Sequence, residues 1–279
     1  MLVSTATLAE HISDDQWVVF DCRHDLMDPT KGREAYDVGH LPGAHFARVD
    51  EDLSGVKTGT NGRHPLPDPA AFAVFLASKG VGPGCRIVAY DDVGGQYAAR
   101  LWWMCRWLGW ADVAVLAGGL PTWLAEGRSL STDQPTASTG EVVVYLKTDL
   151  LALVGEVEAA IVDSSAVVVD ARAPERYRGD VEPLDPVAGH IPGALNRFFE
   201  ANLNDDLTMK SPEDLKVAWA ENLAGRQPNE ILHQCGSGIT ACVNLLAMEV
   251  AGLSGSRLFA GSWSEWVGDP SRPVATRDQ

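Results

Sequence analysis

The apolar residues of the chain fall in short blocks separated by turn-forming segments. Trp17-Val18-Val19-Phe20 runs directly into Asp21-Cys22-Arg23. An apolar block without polar alternation predicts a strand buried on both faces. Arg86-Ile87-Val88-Ala89-Tyr90 predicts a second strand, and Asp112 to Leu116 a third. Between them the spacing becomes helical. Pro69 to Lys79 has apolar residues at helical intervals, and Gln96 to Leu108 predicts a helix carrying Trp102, Trp103 and Trp107, indoles for the core or a domain interface. Gly39-His40-Leu41-Pro42-Gly43-Ala44 interrupts one or two helical turns begun at Arg33, and Asp50 to Asp68 predicts a long surface loop.

The same programme then runs a second time. Val167-Val168-Val169-Asp170-Ala171-Arg172 repeats Val18 to Arg23, Gly189-His190-Ile191-Pro192-Gly193-Ala194 repeats Gly39 to Ala44, and Ala260 to Trp266 repeats Ala117 to Trp123. The offsets are nearly constant (Asp21 to Asp170, 149 residues; Gly39 to Gly189, 150; Ala117 to Ala260, 143). A steady offset of this size means a duplicated domain. The predicted organisation is an N-terminal domain over residues 1–130, a linker over 131–162 that starts in the Ser-, Thr- and Pro-rich stretch from Ser129, and a C-terminal domain over 163–279. Strands alternating with helices predict an α/β fold, each half a parallel sheet with helices on both faces. Ligands of such sheets bind at the carboxyl ends of the strands.

One segment at such an end carries a thiol. Ile231-Leu232-His233-Gln234 leads into Cys235-Gly236-Ser237-Gly238-Ile239-Thr240, and Ala241 to Val250 reads as a helix. A strand, a tight Gly-rich loop and a helix N-terminus aim backbone N–H groups and a partial positive charge at one spot. Such a site favours a thiolate and binds an anion beside it. The repeat places Asp91 opposite Cys235, so only the second half can supply a sulfur nucleophile.

Composition narrows the setting. Hydrophobic residues are 46% and charged residues 22%, which predicts a globular chain. A net charge of −16 argues against nucleic-acid or anionic-membrane partners, and requires a local cation for any anionic substrate. The five cysteines show neither a CxxC nor a zinc spacing, which predicts a reducing compartment and no metal. Met1 to Gln16 has no basic, apolar leader pattern, and no apolar run spans a membrane, so a soluble cytoplasmic protein is expected. Gly94-Gly95 lacks the rest of a dinucleotide fingerprint, so no nucleotide or other cofactor is expected.

Three chemistries use a thiolate in a backbone cradle. Phosphate-ester hydrolysis needs a bidentate cation, but no Arg or Lys lies between Cys235 and Ala241. Cysteine hydrolases need an activating histidine; His233 precedes the cysteine by two in a strand and faces away, which leaves a histidine remote in sequence as an open alternative. Sulfur transfer needs a thiolate, a loop to wrap an extra sulfur, and a cation for the donor.

The chain resembles the two-domain rhodanese family, the thiosulfate and 3-mercaptopyruvate sulfurtransferases, over nearly its whole length. The resemblance rests on Asp21-Cys22-Arg23, Gly39 to Ala44, their second-half copies, and the Cys235 loop with Asp91 opposite. An inactive first domain with Asp at the cysteine position is usual in that family. The resemblance implies a cofactor-free transferase moving sulfur from a small-molecule donor, through a Cys235 persulfide, to cyanide, a thiol or a thioredoxin-like protein. Cys-Gly-Ser-Gly-Ile-Thr-Ala is similar to the mercaptopyruvate enzymes, which release pyruvate; thiosulfate enzymes typically carry cations after the cysteine. Thiosulfate:cyanide transfer is the alternative, and a non-catalytic sulfur carrier a third reading. By the same resemblance, Gly236, Gly238, Ile239 and Thr240 cradle the substrate, Ser237 assists the leaving oxygen and Arg176 holds its carboxylate. His40, a turn residue with a copy at His190, is the candidate for a proton relay with Ser237. Mercaptopyruvate enzymes often have a second arginine nine residues after the first; here Asp185 stands there, as in the thiosulfate type.

Overall fold

The computed structural model describes residues 1–136 and 139–277. The chain divides into two compact units, residues 1–55, 67–147 and 205–209, and residues 56–66, 148–204 and 210–279.

The first unit contains β1 (Leu2–Val3), α1 (Thr5–Glu10), β2 (Trp17–Asp21), α2 (Thr30–Val38), β3 (His45–Phe46), α3 (Pro69–Ser78), β4 (Arg86–Tyr90), α4 (Ala98–Trp107), β5 (Val113–Leu116) and α5 (Gly119–Ala125). The second contains β6 (Leu151–Ala152), α6 (Val154–Asp163), β7 (Val167–Asp170), α7 (Pro174–Arg178), β8 (Leu195–Asn196), α8 (Pro212–Leu223), β9 (Ile231–Gln234), α9 (Ala241–Val250), β10 (Arg257–Phe259) and α10 (Ser262–Trp266). Each unit is a five-stranded sheet flanked by helices, in the orders β1-β5-β4-β2-β3 and β6-β10-β9-β7-β8, with every strand pair parallel. The two orders are the same order. The central strand β4 is buried along nearly its whole length, as its unalternated apolar block predicts, and in β9 the polar His233 and Gln234 are buried along with Ile231 and Leu232. Trp102, Trp103 and Trp107 are buried on α4.

The linker is shorter than expected. Within 131–162, Leu151–Ala152 pairs with β10, and α6 buries Val157 and Ala160 against the second core. A two-residue strand and a helix with only two buried side chains leave a weak sequence pattern. The segment 56–66 is the expected irregular loop, exposed from Lys57 to Thr60, but it belongs to the second unit and buries His64 and Pro65. Asn61 fixes its shape, with Oδ1 accepting from Thr58 N at 2.8 Å and Nδ2 donating to Val56 O at 3.0 Å. Gly62 (φ +83°) seats it: a Cβ there would come within 2.8 Å of Gly261 O. Among the described residues no helix is long and apolar enough to cross a membrane.

The repeated motifs are buckles between strand and turn. Arg23 donates to Asp21 Oδ2 at 2.6 Å and Gly39 O at 2.7 Å; Arg172 donates to Asp170 Oδ2 and Gly189 O, both at 2.7 Å. His40 stacks on Tyr36, and His190 on Tyr177, each pair 3.8 Å between ring centres.

Candidate active site

The carboxyl end of β9 delivers Cys235 to the N-terminus of α9. The cysteine is 2% exposed. Gly238 N donates to Cys235 Sγ at 3.2 Å. Gly238 has φ +79°, and a Cβ on it would lie 2.2 Å from Ala260 O, so the turn that aims this N–H requires glycine. The backbone of Cys235 is held on both sides. Its N–H donates to Ser262 Oγ at 3.1 Å, and its carbonyl accepts from Trp263 N at 3.0 Å. Ser262 adopts φ 55°, a left-handed conformation that costs a non-glycine residue of order 1 kcal/mol.

Ser237, two residues on, is buried, and its Oγ lies 2.7 Å from Nδ1 of His64, which is buried too. His64 belongs to the segment 56–66. His40 sits in the first unit, its ring nitrogens 2.8 and 3.0 Å from the carbonyl oxygens of Tyr36 and Asp133. The relay assignment to His40 is therefore corrected: the histidine on Ser237 is His64. The turn histidines are structural in both units, since His190 likewise bonds the carbonyl of Tyr177, at 2.7 Å.

Arg176 projects from α7 to the same loop. A Cβ on Gly236 would lie 3.5 Å from each terminal nitrogen of Arg176, and 2.8 Å from Nη2 of Arg63. Two guanidinium groups thus flank the residue beside Cys235. Arg176 donates to Glu182 Oε1 at 2.6 Å and pairs with Asp185 Oδ2 at 3.5 Å; Arg63 pairs with Asp185 Oδ1. Burial works to raise the Glu182 carboxyl, but Arg176, the N–H of Leu184 and Arg172 hold it below the usual carboxylate range. Burial works to lower Arg172, and Asp170, Glu182 and Cys235 outweigh it, holding it above its ordinary value. Arg178 is an exposed partner of Asp180.

Ile239 is buried, and Thr240 precedes the first turn of α9. The remaining thiols are packing groups. Burial pushes Cys22 and Cys105 well up, the carboxylates of Asp91 and Asp21 adding to the effect at Cys22, and Cys242 donates to Gly238 O at 3.4 Å. His233 faces α8 and α9, edge-on to Trp219, and burial with the charge of Arg197 pulls it down to about 3. It is neutral there and remote from sulfur chemistry. Among the described residues no group of three or more His, Cys, Asp or Glu is placed to hold a metal ion.

Sequence reasoning missed Arg63, His64 and Ser262. Gly62-Arg63-His64-Pro65 has no copy in the second half, and that was the one available signal: a basic pair fixed between Gly and Pro in a loop that the duplication does not explain.

A buried cysteine in a backbone loop at the end of a parallel strand, with Asp91 at the matching place of a duplicate unit, defines a duplicated α/β fold with one thiol-bearing loop. The Rhodanese-like domain matches residues 4–126 and 153–269, and the chain belongs to the rhodanese family, whose domain it carries twice. A relative in Pseudomonas aeruginosa, described as "Probable 3-mercaptopyruvate sulfurtransferase", is 44% identical over 279 residues, covering 99% of this chain and 98% of that one. The thiosulfate sulfurtransferase of Rattus norvegicus is 32% identical over 275 residues, 95% of this chain and 91% of its own length. The crystal structure of SseA from Escherichia coli, described among the 3-mercaptopyruvate sulfotransferases, superposes with a TM-score of 0.80 at 31% identity, covering 95% of this chain and 99% of that one.

Proposed function

We propose that the chain is a sulfurtransferase that takes sulfur from 3-mercaptopyruvate and releases pyruvate. The observation that carries the reading is the 2.7 Å contact of Ser237 Oγ with His64, two residues from Cys235, in a loop with no cation of its own. A hydroxyl–imidazole pair moves a proton; a dianionic donor whose leaving group is sulfite would ask for charge instead. The relatives in Pseudomonas and Escherichia carry the name of the same donor.

The donor's carboxylate pairs with Arg176. The Cys235 thiolate attacks the donor's thiol sulfur, forming an S–S bond while the C–S bond breaks. The electron pair leaves on the three-carbon fragment as the enolate of pyruvate. The proton released from the donor thiol returns to that enolate through Ser237 and His64. The outer sulfur, now a Cys235 persulfide, rests in the N–H groups of Gly236 to Thr240. Cyanide, a thiol or a thioredoxin-like protein then attacks it; the S–S bond breaks and its pair stays on Cys235. The first unit is the inactive partner, with Asp91 at the nucleophile's place. The five cysteines, none in a disulfide, suit a reducing cytoplasm.

The test is steady-state kinetics with cyanide as acceptor, comparing kcat/KM for 3-mercaptopyruvate and thiosulfate. The expected ratio is well above one, with pyruvate released and Cys235 heavier by one sulfur atom before acceptor is added. A ratio below one replaces the reading with thiosulfate transfer. No turnover of either donor replaces it with a sulfur carrier charged by a partner enzyme.

A further inference from the structure

We propose that Arg63 is a specificity-determining residue of this site, gripping the donor's carboxylate together with Arg176, and that Asp185 sets the charge of donor the pair accepts. The inference rests on the mercaptopyruvate reading.

Three observations carry it. The first is convergence. Arg63 comes from the segment 56–66 and Arg176 from α7, yet both guanidinium groups lie against Gly236, within 2.8 and 3.5 Å of where a Cβ would be. The absence of a side chain at 236 makes room for both forks, next to the nucleophile. The second is anchoring. Arg63 N donates to Ser264 Oγ at 3.0 Å, and Ser264 N donates to Gly236 O at 3.0 Å. One serine therefore ties the backbone of Arg63 to the cysteine loop, which fixes where the guanidinium can reach. The third is access. The side chains of Arg63 and Arg176 keep 27% and 18% of their exposure, while Asp185, which pairs with both, keeps 2%. A solute can meet the two forks but not the carboxylate behind them.

Asp185 Oδ2 is buried without a hydrogen bond among the described residues and pairs with Arg176 Nη2 at 3.5 Å. It acts as a fixed counter-charge behind the forks. Arg63, Arg172 and Arg176 face Asp170, Glu182 and Asp185, three cations against three carboxylates. A shell of balanced charge with two exposed forks suits a single carboxylate, which two planar donors can hold, better than a dianion.

The test uses the full chain. Arg63→Met is expected to raise KM for 3-mercaptopyruvate roughly 10- to 100-fold, the loss of one charged hydrogen-bonding partner, with a much smaller fall in kcat. Arg63→Lys, which keeps the charge but not the fork, falls between. Asp185→Asn, which leaves both arginines and removes one negative charge, shifts the kcat/KM ratio toward thiosulfate by about 10-fold. Thermal unfolding reports whether each variant is folded; should Arg63→Met fail there, Arg63→Lys and Asp185→Asn decide alone. Folded Arg63 variants with KM within twofold of the parent, or an Asp185→Asn ratio that does not move, overturn the proposal. A parent enzyme that releases no pyruvate overturns the reading beneath it instead.

Discussion

The two halves of the molecule build the same loop around different side chains. In the first unit Asp91 ends β4, and its carboxylate accepts four backbone N–H groups, from Val93, Gly95, Tyr97 and Ala98, at 2.8 to 3.0 Å. In the second, Cys235 ends β9 and Gly238 N turns to its sulfur. The turn is conserved in geometry: Gly94 has φ 75° and Gly238 φ 79°. The cradle is the same device, an N–H nest in front of a helix N-terminus. Asp91 fills it with oxygens of its own. Burial pushes that carboxyl up while the four N–H groups pull it back. Cys235 takes one N–H group of its own nest, that of Gly238, at its sulfur. Under the proposed function, what separates the structural loop from the reactive one is how many of the donors the residue after the strand takes for itself.

The comparison breaks most sharply by moving the thiol. Cys235→Ser should lower turnover by at least roughly 10⁴-fold, the scale of losing a nucleophile. Adding Asp91→Cys to that variant should restore nothing. Positions 92 and 93 are Asp and Val where the second unit has Gly236 and Ser237, so a new thiol would face a carboxylate and lack the Ser237–His64 pair. Recovery of even a hundredth of the parent activity in the double variant would show that the cradle alone suffices.

A smaller effect concerns stability. Asp91→Ala orphans four buried N–H groups and should cost about 2–4 kcal/mol in urea unfolding. Asp91→Asn should cost nearly as much, because its amide nitrogen would face two of those N–H groups as a fellow donor. If either variant unfolds within 0.5 kcal/mol of the parent (about the scatter of ordinary surface changes), the four bonds are not holding the first unit's loop.

The duplication made much of this visible in advance. Unalternated apolar blocks marked β2, β4, β5 and β7, an apolar pair marked β9, and the matching strand ends Tyr90-Asp91 and Gln234-Cys235 set Asp91 opposite Cys235. Contacts that join distant segments were not visible. His64 reaches Ser237 across 173 residues, and nothing local in a Gly- and Pro-rich loop announces where it will dock. Asp185 looked like a missing cation; in the fold it is the partner of an arginine supplied from elsewhere. The repeat also hid differences between its copies. Tyr90 bonds Asp21 Oδ2 at 2.6 Å, while its counterpart Gln234 is buried with neither amide atom hydrogen-bonded among the described residues. Alignment gives position, and only the packing shows whether a substituted side chain still finds its partner.

The smallest expected effect tests whether the Cys235 loop is strained for its proposed work. Gly119 and Ser262 are counterparts, both at φ 55°. At 119 a Cβ would come within 2.3 Å of Asp91 O, and glycine stands there. At 262 the second unit accepts a side chain in the same conformation, and its hydroxyl takes the N–H of Cys235 and donates to Phe259 O at 2.9 Å. Ser262→Gly relieves backbone strain of order 1 kcal/mol and loses a hydrogen bond worth about as much. Stability should therefore stay within about 1 kcal/mol of the parent, while kcat/KM falls about 2- to 10-fold as the Cys235 backbone loosens. Paired denaturation and kinetics separate the two terms. A variant that loses stability but keeps full activity would mean that the hydroxyl only caps a turn; lost activity at unchanged stability would mean that the strain is spent on positioning the nucleophile, a demand that Asp91, anchored by its own four bonds, never makes of Gly119.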